Sequence, residues 1–261
     1  MKPSKRANVV SSFTIIKGAL ISETYTVFQS WDFNRTKREN LDRLRAEDFV
    51  GAGSATWLRD IAWALSRRFD PAGRDRGLVL LAKNGCSLVE WKPLLLWHMT
   101  RDEFLLRDFL VNWLFPVFDA GVFRLRPGDV QTYLAGIGER GASTEHPWAE
   151  RTTQRVAAGL LKISADFGLL KGSAAKEFAS YHLPERSFLY LLHAVREETL
   201  SPAKMISAPD WRMFLMRPAD VEREVLRLHQ FRKLDYQVAG SLVQLSLPAS
   251  SSRAYAEGMG A

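Results

Sequence analysis

Apolar residues return at helical spacing along most of the chain, and residues 148–172 show the pattern most clearly. Val156, Leu160, Ile163 and Phe167 form one stripe. Arg151, Arg155 and Lys162 line up on a different face, because offsets of four and seven residues bring a helix back to nearly the same side. Gly168 predicts a left-handed stop, Leu169-Leu170 form a short apolar pair, and Lys171-Gly172 begins a turn. A helix with one buried and one basic face that ends in glycine and enters a hairpin is the pattern of a winged helix-turn-helix module. It points to nucleic acid before it points to catalysis.

The rest of the chain also reads as mostly helical. Gly18 to Ser30 predicts a helix with Leu20, Thr24, Val27 and Phe28 inward. Arg35 to Arg38 opens a charged one. Ser54 caps a third that runs to Phe69, with Trp57, Ile61, Ala64 and Leu65 buried. Arg74 to Lys83 is stopped by Asn84-Gly85, and Ser87 caps a helix through Trp97. Thr100 and Glu103 have the spacing of a capping box for a long helix, and Pro127-Gly128-Asp129 starts another that ends near Gly136. Beyond residue 172, Phe178 to Leu183 predicts a returning strand, and Pro184-Glu185 starts a helix carrying Phe188, Leu191, Leu192 and Val195. Residues 219–231 form a further helix. Leu234, Tyr236 and Val238, then Val243, Leu245 and Leu247, alternate about a turn at residues 239–241, as a second hairpin would.

The fold class expected is therefore mostly α, with two helical domains, the C-terminal one carrying short β-hairpins and winged-helix-like. Residues 138–147 are rich in glycine and polar side chains and place a linker between domains at 1–137 and 148–248. Residues 249–261 are small and polar, and predict a disordered tail.

Composition adds the sign of the partner. The 261 residues carry 36 Lys+Arg against 29 Asp+Glu, a formal charge of +7 that favours polyanions. The single cysteine, Cys86, excludes an intramolecular disulfide and a multi-cysteine zinc site, which fits a reducing compartment. The most apolar stretch, Phe104 to Phe118, is interrupted by Arg107, Asp108 and Asn112 and broken by Pro116, so a soluble cytoplasmic protein with no membrane contact is expected.

Catalytic signatures are weak. Residues 136–141 match the string GxGxxG, but they follow a helix rather than a strand. None of His98, His146, His182, His193 and His229 lies at ligand spacing from another, so surface or partly packed positions are expected for them. Cys86 near a helix start reads as a packing residue before a reactive thiol. No phosphate-binding loop, nucleophile elbow or kinase signature is present. Arg35, Lys37, Arg38, Arg43 and Arg45 alternate with Glu39, Asp42 and Glu47 and read as a solvated, paired face. Around Arg151, Arg155, Lys162 and Lys171 the acids are only Glu150 and Asp166, so these four are the candidate DNA-binding residues. No catalytic residue, metal ligand, cofactor or small-molecule substrate is expected.

The chain resembles the BrxA family of bacteriophage-exclusion (BREX) defence systems. The resemblance lies in Thr14 to Thr24, Glu103 to Leu110, Thr153 to Leu170 and Pro184 to Leu192, and it covers most of residues 14–248. It implies a small, α-rich, non-enzymatic defence component that binds double-stranded DNA, with other BREX proteins as further partners. The family has been compared with the RNA-binding antitermination factor NusB. It has also been labelled an inner-membrane protein, which the hydropathy here contradicts. It supplies no site pattern that transfers residue by residue. The expected function is a DNA-binding accessory protein in phage defence that holds mainly the phosphate backbone. The alternatives are a scaffold that assembles other defence subunits and a NusB-like RNA binder.

Overall fold

The computed structural model describes residues 10–141, 143–144, 147–240 and 242–259. The helix expected over Gly18 to Ser30 is found as α2 (Ile21–Gln29), and a further short helix outside that expectation, α1 (Ser12–Lys17), precedes it. Gly18 at φ +83° ends α1, and Leu20 at φ +53° redirects the chain into α2. α3 (Lys37–Glu47) opens with a capping box, in which the Thr36 hydroxyl accepts from Glu39 N–H and the Glu39 carboxylate accepts from Thr36 N–H. Ser54 and Ser87 cap α4 (Ala55–Arg68) and α6 (Leu88–Thr100), as their sequences predict, with α5 (Arg76–Lys83) between them.

Thr100 and Glu103 do not form the expected capping box. The Thr100 hydroxyl donates to Trp97 O at 2.7 Å, and the Glu103 carboxylate accepts from the Thr14 hydroxyl at 3.0 Å and faces Arg68 at 3.5 Å. A buried charge far along the chain outcompetes the local cap, because a carboxylate that is 3% exposed requires a cation. The helix that follows is continuous but not uniform. α7 (Phe104–Asp108) passes through a π-helical segment, Phe109–Leu114, into α8 (Phe115–Asp119). The widened turn lies just ahead of Pro116, which has no N–H to give to the ladder.

Strand β1 (Arg124–Leu125) leads to α9 (Pro127–Ala135), a 3₁₀ turn at Gly138–Arg140, α10 (Glu150–Asp166), β2 (Leu170–Lys171) and β3 (Lys176–Phe178). The three strands form one antiparallel sheet in the order β1-β3-β2. The returning strand expected over Phe178 to Leu183 is found instead at Lys176–Phe178, sharing only Phe178 with it. The stretch 138–147 joins α9 to α10, which pack on each other, and β1 pairs with β3 across it. Elements from both sides of that stretch therefore share one sheet and one apolar core.

Helices α11 (Glu185–Arg196), α12 (Pro202–Ile206) and α13 (Pro218–Gln230) follow, with a 3₁₀ stretch, Pro209–Phe214, before α13. The second hairpin, β4 (Asp235–Ala239) and β5 (Leu242–Ser246), has the expected alternation, with Tyr236 opposite Leu245 and Val238 opposite Val243. The expected disordered tail is in part a helix: α14 (Ser252–Gly258) packs on α5 and α11 and buries Ala256 completely. The Ser251 hydroxyl caps it by accepting from Ala254 N–H at 3.0 Å.

Helix α1 lies between α4 and α10. Its contact with α10 is close enough to require Gly159, where a methyl group would sit 2.9 Å from the Ile15 carbonyl oxygen and 3.1 Å from Ile15 Cγ2. Gly159→Ala gains up to ~1 kcal/mol of helix propensity. Overpacking against backbone costs about 1–3 kcal/mol. The variant is expected to be net destabilised in urea titrations, whereas Ala158→Gly, on the exposed side of the same turn, should lose only the propensity term. A more stable Gly159→Ala protein would show that α1 yields.

Candidate nucleic-acid interface

Helix α10 has three differently occupied sides. Val156, Leu160, Ile163 and Phe167 are buried in the core, as the stripe predicts. Gly159 meets α1. The remaining strip is exposed and carries Arg151, Gln154, Arg155, Ala158 and Lys162. The helix ends as its sequence dictates. Gly168 is left-handed at φ +83°, its N–H bonds Ala165 O, and Leu169 N–H bonds Ser164 O, each at 2.9 Å. This is a Schellman cap, and it turns the chain sharply so that buried Leu169 enters β2.

Three of the four expected DNA-binding residues, Arg151, Arg155 and Lys162, share that exposed face. Among the described residues, Arg151 and Arg155 make no ion pair. Lys162 donates to Asp166 at 2.8 Å, an exposed pair one helical turn apart that holds the ammonium only weakly. Lys171 is exposed but not on this face. It sits on edge strand β2 beside the turn at 172–175, in register with Glu177, whose carboxylate accepts from Arg124 at 3.3 Å.

The fold adds two lysines to this region that the sequence did not single out. Lys17, at the end of α1, and Lys92, in α6, line a cleft of ≈ 470 Å³ together with Lys162, Glu23 and Asp166. Lys17 is anchored by Asp60 at 2.5 Å. No periodicity within one segment connects these residues; the packing of α1 on α10 brings Lys17 to Lys162, and Lys92 comes from α6.

The other candidates resolve into structure. At Gly136–Gly141 the chain makes a 3₁₀ turn that folds Arg140 back, so that its Nε donates to Asp108 at 3.0 Å and its Nη2 to Tyr133 O at 2.9 Å. Two histidines are buried rather than at the surface. His98 has Nδ1 2.6 Å from Asp75 and Nε2 2.8 Å from the Tyr190 hydroxyl. With His98 neutral, Nδ1–H donates to the carboxylate and Nε2 accepts from the phenol; burial holds the imidazole pKa below its ordinary value. His193 stacks on Tyr255 at 5.1 Å, and burial lowers its pKa to about 4. His146 lies outside the described residues. Among the described residues, no group of histidine, cysteine and carboxylate side chains has the arrangement of a metal site. No described helix is long and apolar enough to cross a membrane.

Cys86 is partly buried beside Glu90, and burial followed by that carboxylate pushes its thiol up to about 11. The reactive species is the thiolate. A raised pKa therefore leaves the thiol protonated and slow at neutral pH. Alkylation by iodoacetamide is expected to be slow at pH 8 and to accelerate steadily toward pH 11. A rate that levels off below pH 9 would contradict the placement of Glu90 and the burial.

The chain matches no curated protein and no solved structure. The BrxA family matches it over residues 12–195, which takes in α1 through most of α11, including α10 and the β2–β3 hairpin. That span is well over half of the 261 residues, and it places the protein in the BrxA family of BREX-associated phage defence.

Proposed function

We propose that the protein binds double-stranded DNA through the exposed face of α10, with the β2–β3 hairpin alongside, as a non-catalytic component of the defence system. The observation that carries this reading is the pair Arg151 and Arg155, exposed on a rigid helix with no ion pair among the described residues. Beside this pair, Lys162, Lys17 and Lys92 line one cleft together with Glu23 and Asp166. Supporting it is the order of elements: a long helix over 104–119, β1, α9, α10, then β2 and β3, with a sheet order β1-β3-β2. In a winged helix, that order presents the third helix to a DNA groove and the hairpin to the flanking backbone. Phosphate contacts then supply most of the affinity, with little sequence preference. Helices α1 to α6 serve as the scaffold that holds α10.

The absence of catalysis is part of the same proposal. It is supported by the engagement of the reactive groups elsewhere: His98 in a closed chain with Asp75 and Tyr190, and Cys86 as a protonated thiol. A second reading, a scaffold for other defence subunits, draws on the adjacent exposed residues Val122 and Phe123, 42% and 69% exposed, before β1.

Two measurements separate these readings. In a fluorescence titration on two unrelated duplexes, log K should fall linearly with log salt, by about 0.9 for each phosphate neutralised. Reversing Arg151, Arg155 and Lys162 together to glutamate should leave the fold intact and weaken DNA binding at least ~10-fold, with a salt slope flatter by roughly 2–3. Reversing Arg38 and Arg45, exposed on α3 and both paired with Asp42, should change affinity much less. Equal binding by the triple variant and the wild type would remove this face from the account. Loss of phage protection in a Phe123→Asp variant that keeps its DNA affinity would favour the scaffold.

A further inference from the structure

At the first turn of α10, next to the basic face, lies a second cleft of ≈ 440 Å³ whose character is aromatic. Phe13 of α1, Trp63 and Arg67 of α4, Trp148 just before α10, and Thr152 line it. Trp63 is 44% exposed, a large apolar surface for a position that is not in the core. It meets Phe13 edge-to-face at 4.5 Å between ring centroids, so the indole is held in one orientation. Along α4, Arg59, Trp63 and Arg67 recur every four residues and therefore share one side of the helix. Of these two arginines, Arg67 is engaged within the protein and Arg59 is exposed. Among the described residues lining the cleft, none is acidic.

We propose that this cleft stacks an unpaired nucleobase of a nucleic acid. An exposed, oriented indole offers a π-face, and Arg59, exposed one helical turn before it, offers charge to a neighbouring phosphate. A paired base inside a duplex has both faces covered by its neighbours, so only a single-stranded or extruded nucleotide presents a face to the indole. An acidic or neutral peptide would also find apolar surface here, but exposed Arg59 on α4 and Arg151 on α10 match a polyanion that continues beyond the cleft. The proposal rests on the DNA-binding reading, since Arg151 adjoins the cleft on the same helix. It adds that the protein distinguishes a strand with an unpaired base from an intact duplex.

The test uses the full chain and a short single-stranded oligothymidylate. Stacking of thymine on Trp63 should quench intrinsic tryptophan fluorescence. Trp63→Ala should lose much of that quench and bind the oligonucleotide about tenfold more weakly, the loss expected of one base–aromatic stack. Its affinity for a blunt duplex should be unchanged. Trp63→Phe, which keeps a ring, should retain most of the affinity, and Trp148→Ala should act in the same direction as Trp63→Ala. Equal quench and equal affinity in the wild type and Trp63→Ala would overturn the proposal. So would an equal loss for oligonucleotide and duplex, which would assign Trp63 to the fold. If the wild type shows no duplex binding but the oligonucleotide still quenches Trp63, the duplex reading falls and the stacking cleft stands.

Discussion

The placement of α10 depends on one buried guanidinium. Arg68, the last residue of α4, has no exposed surface, and its Nη2 donates to Thr14 O at 2.7 Å and Gly18 O at 2.8 Å, with Nη1 3.4 Å from Ala19 O. These are carbonyls at the end of α1, a place where a helix leaves acceptors without internal partners. Glu103 balances the charge from the start of α7, and burial pushes its carboxyl up from the ordinary value against the pull of Arg68. Breaking such a pair by removing one member costs about 3–5 kcal/mol, because the other charge is left buried and alone. Three elements distant in the chain thus meet at Arg68, and the short helix α1, too short to be stable in isolation, is fixed between them.

The basic face of α10 is what remains after that constraint is met. One side of the helix is taken by the core, through Val156, Leu160 and Ile163. A second is taken by α1, through the close approach at Gly159. The exposed strip holds Arg151, Arg155 and Lys162, and the position of α1 brings Lys17 beside it. The same helix therefore borders a lysine-lined cleft near its C-terminal half and an aromatic one at its first turn. A charged strip on a helix held from two sides loses little freedom when it meets phosphate, which is the advantage of building a binding face on a rigid element.

What was legible in the sequence was what depends on neighbours in the chain. The apolar stripe, the Ser54 and Ser87 caps and the stop at Gly168 follow from helical period and local hydrogen bonding, and each is found in place. The BrxA resemblance rested on the same order of helices and glycines and agrees with the family match. What was not legible depends on partners far along the chain. Thr100 and Glu103 have capping-box spacing, yet Glu103 answers to Arg68 and Thr14. His98 finds Asp75 and Tyr190, on other helices, and is buried by them. Strand β1 is two residues long and exists only because β3 lies beside it. The polar ending hides α14, whose docking rests on Ala256 and Tyr255 against α5 and α11 rather than on an apolar run. Of the candidate DNA-binding residues, the three on α10 are found on one face because helical period alone sets that. Lys171 falls apart from them because the Gly168 cap redirects the chain.

Hydrogen–deuterium exchange of the full chain, with and without a short DNA duplex at low salt, tests the central claim most directly. The account predicts slowed exchange over residues 150–171, across α10 and into β2, with α3 unchanged. Protection confined to α3 or to the β4–β5 hairpin, with α10 exchanging as in the free protein, would contradict it.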